Sequence, residues 1–349
     1  MNKKNNQKRS PPDLIGMDFS QQQMEGAVKN KNALVLGLQY GHGCELACIM
    51  CYAAEGKEIL QMVGSDNPKP LSLDDYARMF GQAKDIGIDA VHISGEGDPL
   101  INLDEFFDLL SLAREHDLLP VVYSHCAKVD RDIAKRLDEF GASVIGKLHS
   151  LNPKINEFLV GNSDVYNYVQ VGGGWIPENM LFLMERGLGE QNRLGANCIV
   201  MSANYSEAEN VWEFMRSQSI IPMMEFMVLS GNAKDYYKMD VGAADRVKLH
   251  RRIYELDQSM GLEYDFSLGP FLGHRKCDSR PIILLDLFGN ARLCVSSYEE
   301  FGNFRDQELG ELVESHYRLE ESLGRNYGNE GVFCECAKYC KDKIRCQEK

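Results

Sequence analysis

Short runs of apolar and β-branched residues recur along the chain, and stretches with apolar residues at i, i+3 and i+4 separate them. This second spacing predicts amphipathic helices. One such helix begins after Ser72, an N-cap followed by acidic residues, and places Tyr76 and Phe80 on one face. The strand-like runs are residues 33–38, 90–94, 118–124, 143–148, 196–201 and 221–228.

Six strands that alternate with helices predict an α/β fold with a parallel sheet. Right-handed crossovers make this either an open doubly wound sheet or a partial barrel. In both forms, the loops after the carboxyl ends of the strands build the active site. Gly172-Gly-Gly174 and Pro177 interrupt the fourth crossover and predict a loop near the barrel mouth, either a plain turn or a part of a binding site.

The chain has 349 residues, enough for one large domain with an appendage or for two domains. Residues 1–30 are polar, and we expect them to form a loosely ordered leader. Residues 31–270 carry the strand and helix alternation. The composition changes near residue 270, after which six of the eleven cysteines occur, so residues 271–349 predict a small cysteine-rich domain.

The charge balance does not favour a polyanionic partner. With 38 basic and 52 acidic residues, the formal net charge is −14, which favours neither a nucleic acid nor an anionic membrane. The basic residues before Ser10 are not followed by an apolar region, so no signal peptide is predicted. No stretch approaches the roughly 18 apolar residues of a membrane span. We therefore expect a cytoplasmic protein, whose cysteines bind metal rather than form disulfides.

Cys44, Cys48 and Cys51 form a C-x3-C-x2-C triplet directly after the first strand-like run. Three thiolates on one loop can hold three irons of a [4Fe-4S] cluster and leave the fourth iron open to a small molecule. The alternative is a structural zinc site, for which His42 is the nearest candidate for a fourth ligand.

This triplet resembles the radical S-adenosylmethionine (SAM) superfamily, whose cysteine loop follows the first strand of a partial (β/α)6 TIM-like barrel. The resemblance covers roughly residues 33–230. It implies that the open iron binds the amino and carboxylate groups of SAM, and that an electron cleaves SAM to methionine and a 5′-deoxyadenosyl radical. This radical would remove a hydrogen from the substrate. The resemblance also implies a reductant such as flavodoxin or ferredoxin.

The segment Ser94-Gly-Glu-Gly-Asp-Pro99, at the end of the second strand, resembles the Gly-Gly-Glu-Pro loop of this superfamily. In the family, that loop holds the amino group of SAM. We carry over Gly95, Glu96, Gly97 and Asp98 as a cofactor-binding loop, and leave open which of the two carboxylates matters.

Three further residues are candidate SAM contacts by the same resemblance. The family often has an aromatic residue between the last two cysteines, where this chain has Met50, with Tyr52 just after. Tyr52 is the candidate for adenine packing. Lys147 is the candidate for the SAM carboxylate and Ser150 for the ribose, since the fourth strand ends there. The alternatives are a solvated Lys147 and a Ser150 that caps a turn.

The C-terminal cysteines resemble the auxiliary-cluster extensions of the superfamily, called SPASM and, when shortened, twitch domains. The element Cys-x11-Gly-x4-Cys and the run Gly302-Asn-Phe-Arg305 carry this likeness. Six cysteines cannot supply eight ligands, so we expect one auxiliary [4Fe-4S] cluster on the first two and two of the last four, with a second left open. A zinc knuckle is the alternative. The candidate ligands are Cys277, Cys294, Cys334, Cys336, Cys340 and Cys346.

The sequence thus predicts a radical SAM enzyme, of oxidoreductase or lyase type, that acts on a small polar metabolite such as a sugar, aminocyclitol or nucleoside-like compound. The reason is that about thirty residues before the barrel cannot fold into a peptide-recognition domain. The second hypothesis is modification of a ribosomal peptide by a thioether or carbon–carbon crosslink or by epimerisation. A third, from another class, is a non-enzymatic iron–sulfur carrier or a zinc-stabilised binding module. The residues that act on the substrate are not identified.

Overall fold

The structure, a computed structural model, describes residues 9–41, 43–53, 69–162, 164–275, 278–295 and 300–323. The helices are α1 (Gln21–Asn30), α2 (Leu73–Asp85), α3 (Leu103–Glu115), α4 (Arg131–Glu139), α5 (Pro153–Val160), α6 (Glu178–Glu185), α7 (Ala208–Ser217), α8 (Ala243–Ser259) and α9 (Leu309–Leu323). The strands are β1 (Val35–Gln39), β2 (Ala90–Ser94), β3 (Leu119–Tyr123), β4 (Ser143–Lys147), β5 (Tyr168–Val171), β6 (Gly174–Pro177), β7 (Leu194–Val200), β8 (Ile221–Phe226), β9 (Ile282–Leu285), β10 (Asn290–Arg292) and β11 (Glu300–Asn303). None of the described helices is long and apolar enough to cross a membrane.

Nine strands form one sheet in the order β11-β10-β9-β1-β2-β3-β4-β7-β8. The six strands from β1 to β8 in this order are parallel neighbours and match the six predicted runs. The predicted α/β fold with a parallel sheet is therefore confirmed. β9 pairs parallel with β1, and β10 and β11 extend the sheet antiparallel, so the sheet continues past the predicted boundary near residue 270.

The six parallel strands form the barrel. Along each of them, side chains alternate between an outer face, under the helices, and an inner face. Outer side chains such as Leu38, Val91 and Val144 join the main core under the helices. Inner side chains from β3, β4 and β8 form a separate cluster around Leu14, which comes from the segment before α1. The inner apolar residues of that cluster are Val121, Ile145, Ile221 and Met223.

Residues 14–17 therefore plug the amino end of the barrel. Leu14 is fully buried, His92 Nε2 lies 2.8 Å from the Gly16 carbonyl, and Ser143 Oγ donates to the Ile15 carbonyl at 2.7 Å. Gly16 has φ +79°, and a Cβ there would lie 2.9 Å from Val121 Cγ2. The expected loosely ordered leader is thus folded from residue 9 onward, while residues 1–8 lie outside the described residues.

Arg275 ties this plug to the far edge of the barrel. Its guanidinium donates to Asp18 at 3.1 and 2.6 Å and to the Pro222 carbonyl, which opens β8, at 2.7 Å. Both charged side chains are largely buried, at 6% and 14% exposure, so solvent screens this ion pair only weakly.

Replacing Arg275 with methionine should lower the free energy of unfolding by about 2 to 3 kcal/mol, because Asp18 and a backbone carbonyl lose charged or buried hydrogen bonds. Chemical denaturation measures this change. The exposed pair of Lys31 and Glu321 supplies the control, since Lys31→Ala should change stability by less than about 0.5 kcal/mol. Equal effects of the two substitutions would contradict the assigned role of Arg275.

The fourth crossover contains a β-hairpin where the sequence predicted a loop. β5 and β6 pair antiparallel, with Val171 opposite Gly174. The two residues between them, Gly172 and Gly173, have φ +54° and +88°. A two-residue hairpin turn with both φ values positive requires residues that tolerate the left-handed region, and glycine does so best.

Candidate functional site

The loop that carries Cys44, Cys48 and Cys51 follows β1 at the carboxyl end of the barrel. The end of α5 fixes its backbone, because Ala47 N donates to the Val160 carbonyl and Ile49 N to the Leu159 carbonyl, both at 3.0 Å. On the other side, Asn232 Nδ2 donates to the Cys48 carbonyl at 3.2 Å. The segments that follow β4 and β8 therefore hold this loop in place.

The three thiols of this loop interact with one another. Burial, together with the thiols of Cys51 and Cys44, raises the pKa of Cys48 to about 12, while the Lys147 ammonium opposes the rise. The same two neighbours, Cys51 and Lys147, act in the same directions on the pKa of Cys44. With pKa values raised in this way, the thiols of Cys44 and Cys48 release protons when they bind a metal centre.

The number of donors on the cysteine loop bears on the choice between a zinc ion and a cluster. Three thiolates on one loop supply one ligand to each of three irons of a [4Fe-4S] cluster. A structural zinc site takes four protein ligands. His42, the candidate for a fourth ligand, lies outside the described residues. The three thiols therefore fit a cluster with one open iron.

Gly95 and Gly97 bring the loop after β2 into backbone contact with the cysteine loop. A Cβ on Gly95 would lie 2.2 Å from the Gly97 carbonyl oxygen, and a Cβ on Gly97 would lie 2.3 Å from the Gly43 carbonyl oxygen. The Asp98 amide also donates to the Gly43 carbonyl at 2.7 Å. Any side chain at either glycine would push the two loops apart.

Gly97→Ala should consequently lower the free energy of unfolding by about 1 to 3 kcal/mol, because the added methyl group meets backbone atoms that cannot rotate away. Thermal and chemical unfolding both measure this loss. Gly87→Ala is unsuitable as a control because Gly87 has a φ of +82°, which residues with a side chain rarely adopt. At Gly26 φ is not positive, and an added Cβ would have no atom within 4 Å. Gly26→Ala should not destabilise the protein, and a Gly97→Ala protein as stable as Gly26→Ala would disprove the close contact.

Asp98 has a structural role. Its carboxylate accepts hydrogen bonds from Ser124 Oγ at 2.9 and 3.0 Å, from His125 N at 2.7 Å and from Leu100 N at 3.0 Å. Only 3% of its surface is exposed. These bonds join the ends of β2 and β3 and cap the short 3₁₀ turn Pro99–Ile101, so Asp98 has little capacity left for a ligand.

Glu96 differs from Asp98 because one of its oxygens has no partner. Oε1 forms an ion pair with Arg292 Nη1 at 3.1 Å, and the carboxylate is 8% exposed. Within the described part of the chain, the buried Oε2 accepts no hydrogen bond. Burial raises the pKa of Glu96, Arg292 lowers it, and Asp286 raises it again. An unpartnered buried carboxylate oxygen is a site for a cationic donor.

Polar side chains occupy the inner positions near the carboxyl ends of the barrel strands. Asn197 connects two of them, since Lys147 Nζ donates to its Oδ1 at 3.2 Å and its Nδ2 donates to Glu225 Oε1 at 2.9 Å. Burial raises the pKa of Glu225, while Asn197 and Lys147 oppose the rise. The polar ring consists of Gln39, Ser94, Lys147, Asn197 and Glu225. Tyr123 is also on the inner face, but its hydroxyl donates to Met17 Sδ of the plug at 3.0 Å.

Asn197 and Glu225 were not predicted as site residues. Each interrupts an otherwise apolar strand run, and a polar residue on the inner face of such a run is the signal that could have found them.

Tyr52 lies next to members of this ring, whereas the hydrogen bonds of Ser150 go to residues outside it. Burial raises the pKa of the Tyr52 phenol, with Cys51 and Glu225 nearby, and a hydrogen bond with Gln39 opposes the rise. Ser150 is fully buried. Its Oγ donates to the Asn152 carbonyl at 3.1 Å and to Glu207, and accepts from the Asn152 amide at 2.9 Å. These bonds cap the turn before α5, and the ribose contact of Ser150 stays a prediction.

The predicted auxiliary site is represented in the described residues by one cysteine. Cys294 is half-buried and follows β10. The other candidate ligands lie outside the described residues, namely Cys277, Cys334, Cys336, Cys340 and Cys346. The auxiliary cluster therefore stays a prediction.

Comparison with known protein families matches residues 38–171 to the radical SAM superfamily. The matched stretch includes the cysteine loop, the glycine loop after β2 and Lys147. A radical SAM domain implies a [4Fe-4S] cluster and SAM, in agreement with the donor set of the cysteine loop.

A GTP 3′,8-cyclase of Desulforamulus reducens is 28% identical over 127 residues, which are 36% of this chain and 37% of the cyclase. The chain thus matches little more than a third of that relative's length.

Solved structures with a similar fold cover more of the chain. Streptococcus suis SuiB bound to the precursor peptide SuiA has a TM-score of 0.61 at 15% identity, over 85% of this chain and 68% of SuiB. Native anSMEcpe with bound AdoMet has a TM-score of 0.56 at 14% identity, over 82% of both chains. At such low identities, these similarities establish the fold alone.

Proposed function

We propose that this chain is a radical SAM enzyme that cleaves SAM reductively and uses the resulting 5′-deoxyadenosyl radical to remove a hydrogen from its substrate. One observation carries the proposal. The loop of the three interacting thiols contacts, at Gly43, the glycine loop of Glu96, whose buried Oε2 has no hydrogen-bond partner within the described residues. That combination offers ligands for iron and an acceptor for a cationic amino group in one place.

The cysteines, the glycine loop, Tyr52 and Lys147 have separate roles in this proposal. Cys44, Cys48 and Cys51 hold the [4Fe-4S] cluster, which when bound supplies the electron for SAM cleavage. Glu96 accepts a hydrogen bond from the SAM amino group, and Lys147 neutralises the SAM carboxylate. Tyr52 packs against the adenine, and Gly95 and Gly97 allow SAM to approach the backbone closely because they have no side chains.

The remaining polar ring and the barrel plug serve the substrate. Asn197 and Glu225 present an amide and a carboxylate to the interior, opposite the SAM-binding loops. The plug at Leu14 closes the amino end, so substrate and SAM enter from the carboxyl end and water is limited to that side. A radical intermediate requires such exclusion of competing reactions.

A small polar metabolite is the proposed substrate class, because the inner ring offers hydrogen-bonding and charged groups rather than an apolar groove. A sugar, aminocyclitol or nucleoside-like compound would suit it. Modification of a peptide is the second candidate, favoured by the similar folds of SuiB, solved with its precursor peptide SuiA, and of anSMEcpe, solved with the Cp18Cys peptide. Flavodoxin or ferredoxin would supply electrons in the cytoplasm, and neither nucleic acid nor membrane is needed.

We further propose one auxiliary [4Fe-4S] cluster, bound by Cys294, Cys277 and two of the four final cysteines. The support is the sequence pattern together with the position of Cys294 beside the sheet strand β10, which leads from the barrel. Iron and sulfide analysis after anaerobic reconstitution tests this stoichiometry. About eight irons per chain support two clusters in total, whereas four irons or bound zinc would contradict the proposal.

Label transfer distinguishes the two substrate classes. Deuterated sugars or aminocyclitols and deuterated peptides are incubated with reduced enzyme and SAM, and 5′-deoxyadenosine is analysed by mass spectrometry. Deuterium that passes from a small molecule into 5′-deoxyadenosine supports the first class. Transfer only from a peptide would establish the second candidate.

The affinity for SAM should decrease as the pH falls. Burial raises the pKa of Glu96 above its ordinary value of 4.5, so the carboxylate takes up a proton at a higher pH than an exposed glutamate. Protonation removes the charge that attracts the SAM amino group. Equilibrium dialysis of SAM at several pH values should show this loss in the wild type and a much flatter dependence in Glu96→Gln. A flat wild-type profile would contradict ionised Glu96 as the acceptor.

A further inference from the structure

Arg292 lies on β10, outside the radical SAM domain at residues 38–171, yet reaches the glycine loop after β2. Its Nη1 donates to Glu96 Oε1 at 3.1 Å and lies 3.4 Å from Gln39 Oε1 at the end of β1. In the sheet order β10-β9-β1-β2, two strands separate the strand of Arg292 from the strand that precedes Glu96, so this ion pair joins segments that are not neighbours in the sheet. Only 13% of it is exposed, so it is a buried link between the C-terminal strands and the barrel.

Two further carboxylates hold the second terminal nitrogen of Arg292. Its Nη2 forms ion pairs with Asp286 at 2.7 Å and with Glu300 at 3.3 Å. Asp286 is buried and accepts hydrogen bonds from the amides of Phe288 and Asn290, both at 2.9 Å. These bonds close the turn between β9 and β10, which keeps the guanidinium in one orientation.

The charges around Arg292 do not cancel. One guanidinium faces three carboxylates, those of Glu96, Asp286 and Glu300. Within the described residues, Glu96 Oε2 has no hydrogen-bond partner although it is buried. The surplus of negative charge and the open acceptor both favour an added cation at Glu96.

We infer that Arg292 is a positioning residue for SAM, which fixes Glu96 Oε1 so that Oε2 is presented to the SAM amino group. This inference rests on the proposed function and adds that the C-terminal strands control SAM affinity through one side chain. Arg292 also lowers the pKa of Glu96, against the effect of burial. Without Arg292, the carboxylate would lose the bond that fixes its orientation and its pKa would rise, and both changes make it a poorer acceptor for an ammonium group.

The test is a double-mutant cycle read out by SAM binding, without turnover. Reconstituted full-length protein is dialysed against radiolabelled SAM in the absence of a reductant, and iron content and thermal stability are measured for every variant. Arg292→Met should raise the Kd for SAM about tenfold or more, as expected for loss of a charged hydrogen bond. Arg292→Lys should restore part of the affinity, because lysine keeps the charge but not the fork.

The cycle separates positioning from a general loss of structure. In a Glu96→Gln background, Arg292→Met should change the Kd by less than about twofold, because the group that Arg292 positions has already lost its charge. Arg305→Met is the matched control. Arg305 donates to the Phe288 carbonyl of the same β9–β10 turn at 3.2 Å, and no hydrogen bond or ion pair of the described residues joins it to Glu96. This variant should bind SAM as the wild type does.

The inference and the proposed function fail in different ways. Wild-type affinity in both Arg292→Met and Arg292→Lys, with weakened binding in Glu96→Gln, would overturn the inference and leave the proposed function intact. Equal weakening by Arg292→Met with and without Glu96→Gln would also overturn it. Wild-type affinity in Glu96→Gln itself would refute the proposed role of Glu96. If Arg292→Met does not fold, the cycle is run with Arg292→Lys, where a loss of affinity that vanishes in the Glu96→Gln background supports the inference.

Discussion

A variant with alanine at Cys44, Cys48 and Cys51 is expected to lose all SAM cleavage while keeping about four irons per chain. The three thiols share one loop and interact with one another, so removal of all three deletes the protein ligands of the SAM-binding cluster. The remaining iron belongs to the proposed auxiliary cluster. Iron and sulfide analysis and a 5′-deoxyadenosine assay after anaerobic reconstitution measure both effects.

Cys198→Ala is the control for this experiment. Cys198 is fully buried on β7, and its thiol donates to the His149 carbonyl at 3.6 Å and accepts from Asn204 Nδ2 at 3.8 Å, so its bonds lie within the core. Its replacement should leave the iron content and SAM cleavage close to those of the wild type. Loss of all iron in the triple variant would argue against an independent auxiliary cluster, and residual SAM cleavage there would refute the assigned ligands.

Glu96→Gln is expected to weaken SAM binding and Asp98→Asn to lower the stability of the fold, although the two residues are only two positions apart. Glu96→Gln removes the charge that the SAM amino group meets, and a buried charged hydrogen bond of this kind contributes about 3 kcal/mol, or roughly a hundredfold in Kd. The fold should be retained, because Glu96 has one ion-pair partner and one open oxygen. SAM dialysis and thermal unfolding measure affinity and stability separately.

Asp98→Asn should instead lower the free energy of unfolding by about 2 to 3 kcal/mol and change SAM affinity much less. Its carboxylate accepts bonds from Ser124, His125 and Leu100, and an amide group would turn a donor toward one of these donors. The two variants therefore decide which carboxylate of the loop serves the cofactor. A stable Asp98→Asn protein with a hundredfold loss of SAM affinity would reverse the assignment.

The alternation of apolar runs and amphipathic stretches was sufficient to predict the six barrel strands, because parallel strands buried on both faces are nearly continuous in apolar residues. Local signals also located the cysteine loop and the glycine loop after β2. The same local signals failed for residues 9–30 and for the β5–β6 hairpin. Leu14 is buried only because distant strands surround it, and the paired glycines of the hairpin turn are equally typical of a loop.

The site itself was less predictable than the fold. Sequence spacing could not decide between Glu96 and Asp98, since the difference lies in partners from other strands. Arg292 is 196 positions away from Glu96, and a single ordinary arginine in a strand carries no sequence signal for such a contact. Asn197 and Glu225 lie in apolar runs, where their meaning depends on which face of the barrel they occupy.

The most direct test of the central claim is the formation of 5′-deoxyadenosine from SAM by the anaerobically reconstituted protein. The wild type, supplied with SAM and dithionite, should produce 5′-deoxyadenosine and methionine in a reaction that requires the reductant. The variant without Cys44, Cys48 and Cys51 should produce none. Intact SAM in the presence of a fully reduced [4Fe-4S] cluster in the wild type would contradict the account.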